Sequence, residues 1–178
     1  MVDKPSLAAQ IASVATLYGD FTLRSGAASH EYFDKYRFES DPRLLDAIAQ
    51  ALVPLIPPAT EALAGLELGG VPIATALALR TGLHTVFVRK RAKDYGTRQL
   101  AEGRDVRGLQ LLLVEDVVTS GGQVIASANE LRSIGSTITD AICVIDREAG
   151  GERALTAAGI RLHSLFRKAD LERLGGAR

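Results

Sequence analysis

The chain has a single cysteine in 178 residues. Cys143 cannot form an internal disulfide, and its place in an apolar, strand-like run makes it a small core residue. Histidine is also scarce. His30, His84 and His163 are scattered without metal-ligand spacing, so a protein-held zinc site is not expected. Charge of neither sign dominates. The 21 Lys and Arg balance the 21 Asp and Glu, which removes any global electrostatic drive toward nucleic acid or a membrane. No apolar run approaches the length of a membrane span. The N-terminus lacks the basic-then-apolar layout of a signal peptide, so a cytoplasmic location is the expectation. No internal repeat, low-complexity tract or linker interrupts the chain. The 47% hydrophobic content is enough for one domain with a full core, expected to span 1–178.

Apolar spacing predicts a helix over Ser6–Tyr18, with Leu7, Ile11, Val14 and Leu17 on one side. Phe21–Phe38, rich in aromatics and charge, reads as short strands and turns. Asp41-Pro42 is a helix start, an N-cap acid followed by proline at the first helical position. Leu44, Leu45, Ile48 and Leu52 form its stripe, and Pro54, Pro57 and Pro58 end it. Strands are then expected at Ala62–Leu66, Thr85–Val88, Leu109–Val114, Ile138–Ile145 and Ile160–Phe166. Helices are expected at Pro72–Thr81, after Gly122, and at Gly151–Ala158. The tail from Asp170 is polar and gives little signal. This alternation predicts an α/β fold with a mostly parallel central sheet flanked by helices. Ligands of such sheets sit beyond the C-terminal strand ends. The loops Glu67–Val71, Glu115–Gly122 and Asp146–Gly151 leave such ends and should share one rim.

The stretch Leu111 to Gln123 carries the most chemistry. Its apolar run has no alternation, as in a strand buried on both faces. Glu115 and Asp116 follow. Adjacent acids are costly to bury without partners, so they are expected at the strand's exit, accepting hydrogen bonds from hydroxyls or holding a metal through water. In Thr119-Ser120-Gly121-Gly122, glycines let backbone N–H groups approach an anion and hydroxyls add donors. Ser120 and Gln123 fit a capping box, and Val124, Ala128, Leu131 and Ile134 fall at helical spacing. A helix start of this kind is an anion site. The plain alternative is an ordinary strand–turn–helix crossover. The turn is neither a Walker A loop nor a dinucleotide fingerprint.

Residues 89–103 form a basic, glycine-punctuated segment, long for a loop in a compact domain. It reads either as a solvated charged hairpin or as a flexible lid whose cations meet a negatively charged leaving group and whose closure excludes water. In Leu66 to Ala74, Gly69-Gly70 lets the main chain approach an anion, and Pro72 begins a helix. A plain strand–helix turn is the alternative there.

Val114 to Gly122 resembles the phosphoribosyl diphosphate (PRPP) loop of the type I phosphoribosyltransferases. The resemblance implies that the paired acids contact the ribose hydroxyls and that the turn binds the 5′-phosphate. PRPP-binding is thus expected of Glu115, Asp116, Val117, Val118, Thr119, Ser120, Gly121, Gly122 and Gln123. Val88 to Gly96 resembles the loop of the orotate phosphoribosyltransferase family, which implies PRPP contacts for Arg89, Lys90 and Lys93, with Lys93 catalytic beside Asp116. In many members this loop comes from the neighbouring subunit of a dimer. Tyr95 stands where many members carry a histidine that reaches the diphosphate; a phenol carries no positive charge at neutral pH.

Phe21 to Gly26, with Ser29 and Tyr32-Phe33-Asp34, resembles the family's small N-terminal hood, expected over about 1–40 above a core of about 41–170. Arg24 replaces the family's usual lysine and keeps its charge; no role is assigned to Asp34, Lys35 or Tyr36. Ile145 to Gly151 resembles the motif whose arginine binds orotate. The expected orotate-binding residues are Arg24, Thr119 and Arg147. A guanidinium suits a carboxylate; the alternative for Arg147 is a surface ion pair with Glu148 or Asp146. Leu66 to Ala74 resembles the turn that cradles the diphosphate, adding Gly69 and Gly70.

Together these resemblances imply transfer of the phosphoribosyl group from PRPP to orotate, giving orotidine 5′-phosphate and diphosphate in UMP biosynthesis. They also imply Mg2+ held mainly by substrate oxygens and water near Glu115 and Asp116, and a homodimer. Transfer to another base, uracil or a purine, and a non-catalytic PRPP-sensing regulator are the rival readings. No separate nucleic-acid-binding element is visible for the latter.

Overall fold

The computed structural model describes residues 3–22, 26–91 and 100–175. Helix α1 (Lys4–Ala15) buries Leu7, Ala8, Ile11 and Ala15 but stops short of Tyr18. Leu17 and Tyr18 belong instead to strand β1 (Thr16–Thr22), which pairs antiparallel with β2 (Ala28–Phe33), Leu17 opposite Tyr32. Cross-strand pairing overrides the helical spacing of Leu17, and the threonines and aromatics of the segment suit a pleated surface. Helix α2 (Tyr36–Glu39) follows, and then α3 (Pro42–Leu52). As the sequence predicts, Asp41 caps α3, its side chain accepting from the amides of Arg43 and Leu44.

From there strands and helices alternate. They are β3 (Ala62–Leu66), α4 (Gly70–Thr81), β4 (His84–Val88), β5 (Ala101–Glu102), β6 (Gln110–Val118), α5 (Gly122–Ser133), β7 (Thr137–Asp146), α6 (Gly151–Ala157), β8 (Arg161–Arg167) and α7 (Lys168–Gly175). The strands form one sheet in the order β5-β4-β3-β6-β7-β8. All neighbours are parallel except β4 and β5.

Both faces of the sheet are covered. Leu63, Leu112, Val114, Ile142 and Val144 pack into one core with α1, α3, α4 and α7. Ala62, Ala64, Leu111, Leu113 and Cys143 pack into the other with α5 and α6. Successive residues of a strand point to opposite faces, so burial on both explains why the apolar runs show no alternation.

Several limits differ from the sequence reading. Strand β6 continues through Glu115 and Asp116 to Val118 instead of ending at Val114. Helix α4 starts at Gly70, so Pro72 lies inside its first turn; the amides there lack intrahelical partners and a missing N–H is tolerated. Ile134 is 43% exposed, because α5 ends at Ser133. The polar tail folds as α7, which buries Leu171 against α1. The short strand β5 carries no sequence signal of its own.

Asp41→Ala should lower stability by about 1 kcal/mol, through loss of both cap hydrogen bonds. Urea unfolding of the two proteins measures this; equal midpoints would remove the cap from the account of α3.

Candidate active site

Strands β3, β6 and β7 lie side by side and end on one rim. A helix starts after each, and each start is capped by a glycine: Gly69 for α4, Gly121 for α5 and Gly150 for α6. None of these caps offers a side-chain acceptor. The first-turn amides of the three helices therefore face the rim without a side-chain partner, at the positive ends of the helix dipoles. The capping box expected from Ser120 and Gln123 does not form. Gly121 takes the cap with φ +77°, a conformation that a Cβ disfavours, and Gln123 Nε2 donates to Ser127 Oγ at 3.3 Å. The side chains of Thr119 and Ser120 are left exposed at the rim.

Backbone contacts hold the three loops in register. The amide of Arg147 donates to the Val118 carbonyl at 2.9 Å. A Cβ on Gly151 would lie 2.6 Å from the Thr119 carbonyl oxygen, and one on Gly70 would overlap the Val114 carbonyl. The rim is closed to any larger residue at these positions.

The acids are inside the strand, not beyond it. Asp116 is fully buried and Glu115 is 9% exposed. Asp116 Oδ1 accepts from the Val117 amide at 2.6 Å, and the Asp116 amide donates to Glu115 Oε1 at 3.2 Å. Two residues beyond Val114, Asp116 falls on the face of α1, α3 and α4. There the Lys35 ammonium lies 2.6 Å from Asp116 Oδ2, close but off the hydrogen-bonding axis. Glu39 is buried beside them, and its Oε1 has no hydrogen-bond partner among the described residues. Sequence reading assigned nothing to Lys35 or Glu39. Their i, i+4 spacing puts both on one face of a helical turn, which was the available signal.

This cluster shares three carboxyl groups with one ammonium. Burial, then the adjoining Asp116 carboxyl and its charge, push Glu39 up to about 9. Burial and the adjoining Asp116 carboxyl likewise push Glu115 up to about 9. Burial opposes ionisation of Asp116 as well, but the neighbouring Glu115, Glu39 and Lys35 side chains outweigh it and hold that group below its ordinary value. Burial also works against the Lys35 charge; Asp116 more than offsets it and raises that group. The charged pair is thus Lys35 with Asp116, flanked by two protonated acids.

Arg89 and Lys90 lie at the end of β4 on the same rim. Arg89 Nε donates to Glu102 Oε1 at 3.3 Å, and the Lys90 amide donates to Glu67 Oε1 at 3.1 Å. Among the described residues Arg147 makes no ion pair with Asp146 or Glu148; its guanidinium stands 5.5 Å from the centre of the Phe33 ring. It lines a cavity of about 560 Å³ with Tyr18, Glu31, Phe33, Lys168 and Glu172. Arg24, Lys93 and Tyr95 lie outside the described residues.

A buried acid pair, a hydroxyl- and glycine-rich turn at a helix start, and a strand-end arginine thus meet on one parallel rim. Residues 41–158 match the phosphoribosyl transferase domain family. An orotate phosphoribosyltransferase from Nocardioides sp. is 48% identical over 167 residues, covering 94% of this chain and 93% of that protein. The crystal structure of Mycobacterium tuberculosis H37Rv orotate phosphoribosyltransferase in complex with Fe(III) dicitrate superposes with a TM-score of 0.86 at 30% identity, covering 94% of this chain and 98% of that one. The same enzyme in complex with PRPP gives 0.81 at 28% identity, with coverage of 94% and 98%. The chain belongs to the orotate phosphoribosyltransferase family.

The raised carboxyls make stability fall as pH rises. Between its unfolded value near 4.5 and about 9, folded Glu39 keeps a proton that the unfolded chain has lost. Its contribution is therefore complete below the lower value and gone above the upper one. Glu39→Gln should match the parent in melting temperature near pH 4 and exceed it by a growing margin up to pH 8.5. Parallel melting profiles across that range would remove Glu39 from the set of raised carboxyls.

Proposed function

We propose that the chain transfers the 5-phosphoribosyl group of PRPP to orotate, releasing diphosphate and forming orotidine 5′-phosphate, a step of UMP biosynthesis. The observation that carries this reading is the meeting of the acid pair, the 119–122 turn, Gly69-Gly70 and Arg147 on one rim, in a chain of this family.

Each part has a role, which for the described residues rests on position and for Arg24 and Lys93 on sequence alone. The uncapped amides of α5 and the exposed hydroxyls of Thr119 and Ser120 take the 5′-phosphate, with Val117, Val118, Gly121, Gly122 and Gln123 forming the rest of that contact. Glu115 and Asp116 take the ribose hydroxyls. Gly69 and Gly70 let the α4 start approach the diphosphate, and Arg89, Lys90 and Lys93 neutralise it as it leaves. Arg147, beside the 560 Å³ cavity, orients orotate through its carboxylate, with Arg24 and Thr119 completing that contact. The bond from ribose C1 to the diphosphate oxygen breaks as the bond from C1 to the orotate nitrogen forms, through an oxocarbenium-like state. No covalent enzyme intermediate is needed; positioning and electrostatics supply the rate.

The donor set fits a substrate-borne Mg2+. Among the described residues no three His, Cys, Asp or Glu groups are placed to hold a metal. The Asp116 carboxylate is engaged by Lys35 and presents negative charge from within the strand. Glu115 and Asp116 would hold such an ion indirectly, through water and substrate oxygens, and it would supply charge neutralisation for the leaving group. The enzyme would work as one unit, hood over 1–40 and core over 41–170, in a cytoplasmic homodimer whose lid loop serves the neighbouring site. No helix among the described residues is long and apolar enough to cross a membrane.

Diphosphate release with PRPP, Mg2+ and a panel of orotate, uracil, hypoxanthine and xanthine tests this. Turnover on orotate alone is expected; turnover on another base without orotate would overturn it. Lys93→Ala should lower turnover about 100-fold or more, with the melting temperature unchanged, as loss of a transition-state cation implies. Near-normal steady-state turnover would end that assignment. Arg147→Ala should weaken orotate binding by about 10- to 100-fold, the worth of a charge-assisted contact, with PRPP binding kept. Equal loss of both ligands would argue against a base-specific role.

A further inference from the structure

Lys35 touches the cradle without belonging to any of its loops. It sits between β2 and α2, and its side chain is 32% exposed while that of Asp116 is wholly buried. Asp116 is confined on every side: Oδ1 by the Val117 amide, Oδ2 by the Lys35 ammonium, and the space beyond by Gly69, where a Cβ would overlap the carboxylate. Glu39 Oε1 stands close to the same glycine. Without Lys35, a buried carboxylate would face two other carboxyl groups and no cation, a situation that strongly favours rotation or loss of its charge. The contact to Oδ2 is off axis, so that oxygen has no hydrogen-bond partner among the described residues and depends on the Lys35 charge alone.

We propose that Lys35 is a positioning residue: through its ion pair it holds the Asp116 carboxylate in the orientation that accepts the ribose hydroxyls, without itself touching substrate. The inference rests on the reading of this rim as a PRPP site. It also gives the segment between β2 and α2 a purpose, as a latch from the two-stranded sheet to the centre of the large one.

The test is a double-variant cycle on the full chain. Binding of PRPP with Mg2+ and of inorganic phosphate is measured by calorimetry for the parent, Lys35→Met, Asp116→Asn and the double variant. Phosphate probes only the 119–122 turn and reports an intact rim. Lys35→Met should weaken PRPP binding about tenfold or more while phosphate binding stays within about twofold, and in the Asp116→Asn background it should add no more than about twofold. Losses that multiply in the double variant would mean that Lys35 contacts substrate directly, and would overturn the proposal. Unchanged PRPP binding in Lys35→Met, or equal loss of phosphate binding, would overturn it too. A parent protein that binds phosphate but not PRPP would overturn the PRPP reading itself.

Discussion

A carboxylate taken out of water must find a cation, a set of donors or a proton. Glu115 and Asp116 are carried inside a strand that has neighbours on both sides and helices on both faces, so this constraint falls on them in full. The surroundings answer it in three ways at once. Lys35 faces Asp116, the Val117 amide bonds it, and Glu39 and Glu115 hold their protons. Gly69 is obligatory because the carboxylate occupies the place of its Cβ. The approach of β2, the short helix α2 and the start of α4 all follow from the need to enclose this group.

The rim beside it is built from backbone more than from side chains. Three adjacent parallel strands release three helices whose glycine caps contribute no acceptor, leaving amides and dipoles to attract anions. Positive side chains stand at the edges: Arg89 and Lys90 after β4, Arg147 after β7. Fixed dipoles and a few cations thus give this rim its positive character.

Much of this was legible in the chain. The apolar pentad Ala62–Leu66 marks its strand with the limits observed, and Asp41-Pro42 marks the start of α3, because burial on both faces and a cap with proline are local signals. The placing of three loops on one rim follows from parallel topology alone. The misses have physical causes. The acid pair read as the end of β6, since sequence cannot show that Lys35, far away in the chain, compensates the charge. Leu17 obeyed a helical period but pairs with Tyr32 in a sheet. Ser120 and Gln123 had capping-box spacing, yet the left-handed Gly121 took the cap. Strand β5, only two residues long, is too short to have a period at all.

The hydrogen bond from the Arg147 amide to the Val118 carbonyl has a metric consequence. It fixes the arginine one strand away from the acid pair, and the register of β6 against β7 admits no slippage where Val118 faces Asp146. The gap between neighbouring strands, about 4.8 Å, therefore sets the backbone spacing between the strand of the acid pair and the start of the arginine's loop, a distance held by the sheet's own hydrogen bonds.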